Sequence, residues 1–151
     1  MSAERGLELA YRYLSRRERT VAETREHLAS RDVDSPTADQ VIAMLAGQGY
    51  LDDRRFARLF VQDKRDLDQW GDERIRRGLE SRGVDRDLAE EAIGENGGYH
   101  RELERAVALL RRRVPNPEPD RRGRERALGL LLRRGYDYEL ADAALREHLS
   151  G

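Results

Sequence analysis

One segment of the chain recurs at a fixed offset, and the recurrence limits the fold to something built by repetition. Residues 79–89 (LESRGVDRDLA) and 131–141 (LLRRGYDYELA), 52 positions apart, align Leu, Arg, Gly, Asp, Leu and Ala in register. Residues 28–34 (LASRDVD) match the first of these at an offset of 51, with Asp32 where Gly83 and Gly135 stand. Spacing of this size marks supersecondary units that bury their apolar faces against one another. Three units follow, 1–51, 52–98 and 99–151, and Asp34, Asp85 and Asp137 hold one place in them, that of an N-cap.

Within the units the apolar residues keep helical spacing. Leu7, Ala10, Tyr11 and Leu14 lie at i, i+3, i+4 and i+7, as do Ala38, Val41, Ile42 and Leu45, and Leu103, Ala106, Val107 and Leu110. No stretch alternates as a strand would. Thr20 with Glu23 has the form of a capping box, Pro36 suits a first helical turn, and Gly83 and Gly135 suit left-handed helix ends. The resulting expectation is all-α, with nine helices near 4–15, 20–31, 36–47, 53–67, 71–82, 86–94, 99–113, 122–134 and 138–149. Three tandem three-helix repeats are expected to form an elongated array with room for curvature. Gly97-Gly98 reads as a bendable joint, and Pro115-Asn116-Pro117-Glu118-Pro119 as a stiff non-helical connection.

Charge explains how such a polar chain can still fold. Charged residues make up 39% of it, but 29 basic and 30 acidic side chains leave a net charge of −1. That balance removes the strongest signature of disorder and of a nonspecific DNA-coating protein. No cysteine is present, which excludes disulfides, a thiol nucleophile and Cys-ligated metal. The start of the chain lacks a signal-like apolar region and no run is long enough to cross a bilayer, so a cytoplasmic protein is expected.

Catalytic groups are sparse. His27, His100 and His148 lie far apart, form no metal-ligand spacing and are expected at the surface or its boundary. Asp52 and Asp53 are adjacent on a helix start, about 100° apart around its axis, and read as acids facing the helix dipole rather than as a dyad. No phosphate-binding glycine loop occurs. Neither an enzyme nor a cofactor is expected; a metal-dependent enzyme using Asp52 and Asp53 stands last among the alternatives.

Arginines carry more information. The first repeat holds 7 basic and 8 acidic residues, the second 10 and 13, and the third 12 and 9, for net charges of −1, −3 and +3. Arg111-Arg112-Arg113 and Arg133-Arg134 concentrate the positive charge of the third repeat, a pattern open to phosphate contact or to a solvated face. The glycine turns also admit a helix-turn-helix reading. Asp87, Glu90 and Glu91 on the following helix oppose it, because phosphates flank the major groove.

Several of these residues together resemble the bacterial regulatory RecX family. Tyr13-Leu14 with Arg17, Arg19 and Thr20 is similar to that family's opening motif. Gly49-Tyr50-Leu51-Asp52-Asp53-Arg54-Arg55-Phe56-Ala57 resembles its central signature. Trp70-Gly71, Arg74-Ile75, Leu79 and Arg82-Gly83-Val84 follow at the matching distance. Arginine precedes the glycine where the family more often has lysine, and Arg31-Asp32 replaces the first such pair.

The resemblance implies a monomeric, non-catalytic modulator that binds the RecA recombinase and its filament on single-stranded DNA, with weak direct DNA binding. It implies restraint of strand exchange and of the SOS coprotease. Tyr50, Leu51, Asp52, Asp53, Phe56, Gly71 and Gly83 are then expected to hold the fold, with Tyr50, Leu51 and Phe56 buried. Arg17, Arg19, Arg74, Arg76, Arg77, Arg111, Arg112, Arg133 and Arg134 are the expected contacts to RecA or DNA. A nucleic-acid-binding helical module acting without RecA, and a helical scaffold for another protein, are the alternatives.

Overall fold

The computed structural model describes residues 2–118 and 120–151; Met1 and Pro119, the last residue of the expected proline connection, lie outside the described residues. Among the described residues there are nine α-helices and no strand. They are α1 (Ala3–Leu14), α2 (Val21–Ser30), α3 (Ser35–Gly47), α4 (Asp53–Asp66), α5 (Asp72–Ser81), α6 (Arg86–Gly94), α7 (Tyr99–Arg113), α8 (Arg121–Arg133) and α9 (Tyr138–Ser150). Each starts and stops within about two residues of its expected position, the ordinary uncertainty of a helix end.

The capping residues explain that agreement. Thr20 accepts from Glu23 N at 3.0 Å while Glu23 accepts from Thr20 N at 3.0 Å, completing the capping box. Asp34 and Asp137 accept from Thr37 N at 3.2 Å and Leu140 N at 2.9 Å, and Asp85 from Asp87 N at 2.8 Å. Asp52 caps α4 by accepting from Arg55 N at 3.1 Å. Each bond satisfies a helix-start N–H that has no intrahelical partner.

The recurring segment proves to be one turn made three times. After α2, α5 and α8, the N–H groups of Val33, Val84 and Tyr136 donate to the carbonyls of Leu28, Leu79 and Leu131 at 3.0–3.1 Å. This six-to-one closure requires a left-handed residue just before the donor. Asp32, Gly83 and Gly135 supply it with φ of 63°, 78° and 97°. The three leucines are fully buried, and Val33, Val84 and Tyr136 are nearly so. The motif thus ends a helix and inserts two apolar anchors into a core, each worth about 1.5–3 kcal/mol.

The chain divides into two compact units, residues 1–59 with 79–89, and residues 60–78 with 90–151. In the first, α1 packs on α2 and α3 around Ala10, Leu28, Val41 and Leu45. In the second, α9 packs on α7 and α8 around Leu109, Leu110, Leu131, Leu140 and Ala144. Each of α4, α5 and α6 contributes residues to both units.

Three expectations are corrected. Gly97-Gly98 lies inside the second unit, where a side chain on Gly97 would collide with the Ile93 carbonyl; it is a tight turn rather than a loose joint. Tyr50 is 53% exposed, because its ring meets Tyr11 edge-on at 5.4 Å on the surface while Leu51 and Phe56 enter the interior. His148 is buried at 9% exposure, where Nε2 donates to the Val114 carbonyl at 2.6 Å.

Asp32 carries the left-handed strain that glycine avoids. Asp32→Gly is therefore expected to raise unfolding stability by about 1 kcal/mol. Gly135→Ala should lower it by about 2–4 kcal/mol, since its methyl group would also strike Arg74. Urea denaturation of the two variants checks both signs.

Candidate functional site

Two joints between successive repeats use the recurring turn, and the second builds the candidate site. In the first unit, Thr20 Oγ1 at the start of α2 donates to the Arg82 carbonyl at 2.7 Å, and Gly83 lies where a Cβ would collide with Ala22. Asp53 reinforces this joint by accepting from Val21 N at 2.9 Å; burial raises the pKa of its carboxyl. In the second unit, Gly71 N at the start of α5 donates to the Arg134 carbonyl at 2.7 Å. A Cβ on Gly71 would lie 2.6 Å from the Gly135 carbonyl, so only glycine permits this approach of two backbones.

Further bonds clamp the link between α4 and α5 onto that turn. Arg134 Nη1 donates to the Asp68 carbonyl at 2.8 Å, and the Tyr136 hydroxyl to the Gln69 carbonyl at 3.1 Å. Arg74 Nη1 donates to the Arg133 carbonyl at 3.0 Å, while its guanidinium lies 4.1 Å from the centre of the Trp70 ring. Gln69 is held at φ 53°. Deeper in the same unit, Arg65 donates to the carbonyls of Glu95 and Ile93 at 2.9 and 2.8 Å and pairs with Asp72 at 3.0 Å. Asp72 N in turn donates to Glu102 at 2.8 Å. This buried network fixes the start of α5, and breaking it would leave uncompensated charge.

The clamp leaves a groove of about 540 Å³ lined by Leu67, Asp68, Gln69, Trp70, Arg74, Arg112, Arg113 and Arg134. Four guanidiniums face one carboxylate there, and Asp68 is already paired with Lys64 at 3.1 Å. Arg74 and Arg134 are held by neutral carbonyls, which fix them without cancelling their charge. Arg112 and Arg113 are exposed at the end of α7 and form no ion pair among the described residues. Such a lining is chemically suited to negatively charged oxygen atoms.

The other arginines expected as contacts are dispersed. Arg76 pairs with Glu73 at 2.7 Å and with Glu90, whose hydrogen bond is the main cause of its raised pKa. Arg19 lies 4.2 Å from the Tyr13 ring centre, and Tyr13 stacks on His27 at 4.0 Å. Burial, then Arg31, Arg19 and Arg16, lower the pKa of that histidine. Arg17, Arg77, Arg111 and Arg133 are exposed, and none of them lines the groove. Arg113 belongs to the arginine run already read as open to phosphate contact, whereas Gln69 and Leu67 carry no such signal; Trp70, the only tryptophan, is the available one, since it precedes the glycine of the joint.

Among the described residues no group of three or more His, Asp or Glu is placed to hold a metal ion, and no helix is long and apolar enough to cross a membrane.

Comparison with known proteins identifies the repeats. Residues 7–45, 52–93 and 101–145 match the models of the first, second and third three-helix domains of RecX. The chain is 34% identical over 134 residues to the regulatory protein RecX of Trichlorobacter lovleyi, covering 87% of each chain. It is 34% identical to that of Mycobacterium avium, covering 91% of this chain and 81% of the other. Against the RecX of Lactobacillus delbrueckii subsp. bulgaricus it is 31% identical over 93% of its own length but spans only 52% of that relative. The crystal structure of RecX from Lactobacillus salivarius superposes with a TM-score of 0.84 at 24% identity, covering 99% of this chain and 97% of that one.

Burial pushes the Tyr136 phenol from 10.0 up to about 12. Its neutral form is the one the clamp holds, so the associated stability is full below pH 10 and is lost as pH rises toward 12. A loss of about 3 kcal/mol across that window is expected, and Tyr136→Phe should flatten it. Denaturation curves at successive alkaline pH values check this.

Proposed function

The chain belongs to the RecX family of regulatory proteins, and from that premise we propose that it binds the RecA recombinase and its filament on single-stranded DNA and restrains their activity. The observation that carries this reading is the match of all three helical domains, in order, to a family defined by regulation rather than catalysis. The cationic groove supports it from the physical side: charge fixed in place by neutral anchors is suited to recognition and offers no nucleophile or base. RecX-like restraint of recombination and of the SOS coprotease would then come from occupancy of the filament. Nucleotide and magnesium would belong to RecA. The protein acts as a monomer in the cytoplasm on this reading, and the repeats, 1–51, 52–98 and 99–151, are its structural modules.

Titration into RecA from the same organism on single-stranded DNA, followed by ATP hydrolysis, tests the proposal. Loss of hydrolysis at well below one molecule per RecA is the expected result; unchanged hydrolysis at molar excess would remove RecA as the target. Arg74→Ala/Arg77→Ala should weaken filament binding while the helical spectrum persists. Its melting point should fall slightly, because Arg74 loses one hydrogen bond of about 1 kcal/mol to the Arg133 carbonyl. Full binding by a folded double variant would exclude that pair as contacts.

A further inference from the structure

We infer that the groove beside Trp70 takes an acidic polypeptide segment carrying an apolar residue, rather than a nucleic-acid strand. The inference rests on the reading of the protein as a regulator that acts through binding, and it assigns the ligand chemistry of this one site.

Three observations lead there. First, the cations are arranged for carboxylates. Arg74 and Arg134 are each held by a carbonyl, that of Arg133 and that of Asp68, and Arg112 and Arg113 beside them are exposed and form no ion pair among the described residues. Guanidiniums can donate two hydrogen bonds to one carboxylate, and for the anchored Arg74 and Arg134 the cost in ordering is small.

Second, the groove has no open stacking platform. Single strands are held by cationic grooves in which aromatic faces receive the bases. Trp70 is the only aromatic lining residue among the described residues, and its ring is already engaged by Arg74 at 4.1 Å and Lys64 at 4.7 Å, with Phe60 edge-on at 6.2 Å. The chain as a whole also has a net charge of −1, which disfavours a polyphosphate.

Third, an apolar contact is available on the lining. Leu67 is 74% exposed, the most exposed large hydrophobic side chain among the described residues. It provides a place for one apolar side chain flanked by acids.

The single tryptophan makes the test direct. The 151-residue chain would be titrated with a blocked peptide of glutamates containing one leucine, and Trp70 fluorescence followed. A saturable change is expected, weakening steeply as salt screens the charges. Arg112→Ser/Arg113→Ser should raise the dissociation constant by about tenfold or more with the helical spectrum unchanged, since both side chains are exposed and form no ion pair among the described residues. Replacing the peptide's leucine by serine should weaken binding further.

An oligothymidylate of equal charge is the competing probe. If it binds more tightly than the peptide and loses affinity in the same double variant, the groove is a nucleic-acid surface and the inference fails. It fails equally if the peptide produces no change, or a change indifferent to the two arginines. RecA is absent from this assay, so peptide binding with undisturbed RecA hydrolysis would overturn the proposed target while leaving the groove assignment standing.

Discussion

Everything around the candidate site depends on one hydrogen-bonding constraint: a carbonyl at the end of one helix must receive the N-terminus of a helix from the preceding repeat. Helix ends leave backbone carbonyls and N–H groups without partners, and burying them unpaired is costly. Here two helix-end carbonyls are satisfied from a helix start, one by a side-chain hydroxyl and one by a backbone N–H. Thr20 serves the Arg82 carbonyl, and Gly71 serves the Arg134 carbonyl. The left-handed glycine after each of those arginines lets the two helices approach that closely. Once the second joint closes, residues 68–70 have few conformations left, and Trp70 and the anchored arginines are set in place.

The same residue type does different work depending on what holds it. Arg76 is matched with two carboxylates, so its charge is largely answered within the protein. Arg134 bonds to the Asp68 carbonyl, which fixes its direction and leaves its charge unanswered. A count of arginines along the chain treats these side chains alike. Only the partner atom separates a structural guanidinium from one offered to a ligand.

The elements were legible from the chain because their signals are local. The Thr20–Glu23 box, the Asp34 and Asp137 caps and the left-handed positions at 83 and 135 each act within a few residues, and the helices end where those residues stand. The groove was only half legible. Arg74, Arg112 and Arg134 were singled out as cations, but their convergence needs bonds between residues 59 to 67 positions apart. Tyr50 lies between α3 and α4, where no helical period governs burial, and the depth of His148 escapes the sequence for a related reason. Helical spacing shows which side of a helix a residue occupies, not whether another helix covers it. Gly97-Gly98 looked loose because glycine permits bending; here it permits crowding against Ile93.

A seam sewn mainly through the main chain has a consequence for how such a protein can diverge. Most of what the two joints recognise is peptide backbone, with glycine or a small side chain required at a handful of places. The remaining outer positions can exchange charge and size without unpicking the stack. A structure sharing 24% of its residues with this chain can accordingly keep the same trace, at a TM-score of 0.84. The scaffold is conservative in its stitching and permissive in its fabric, so two such proteins with one architecture are free to present quite different surfaces.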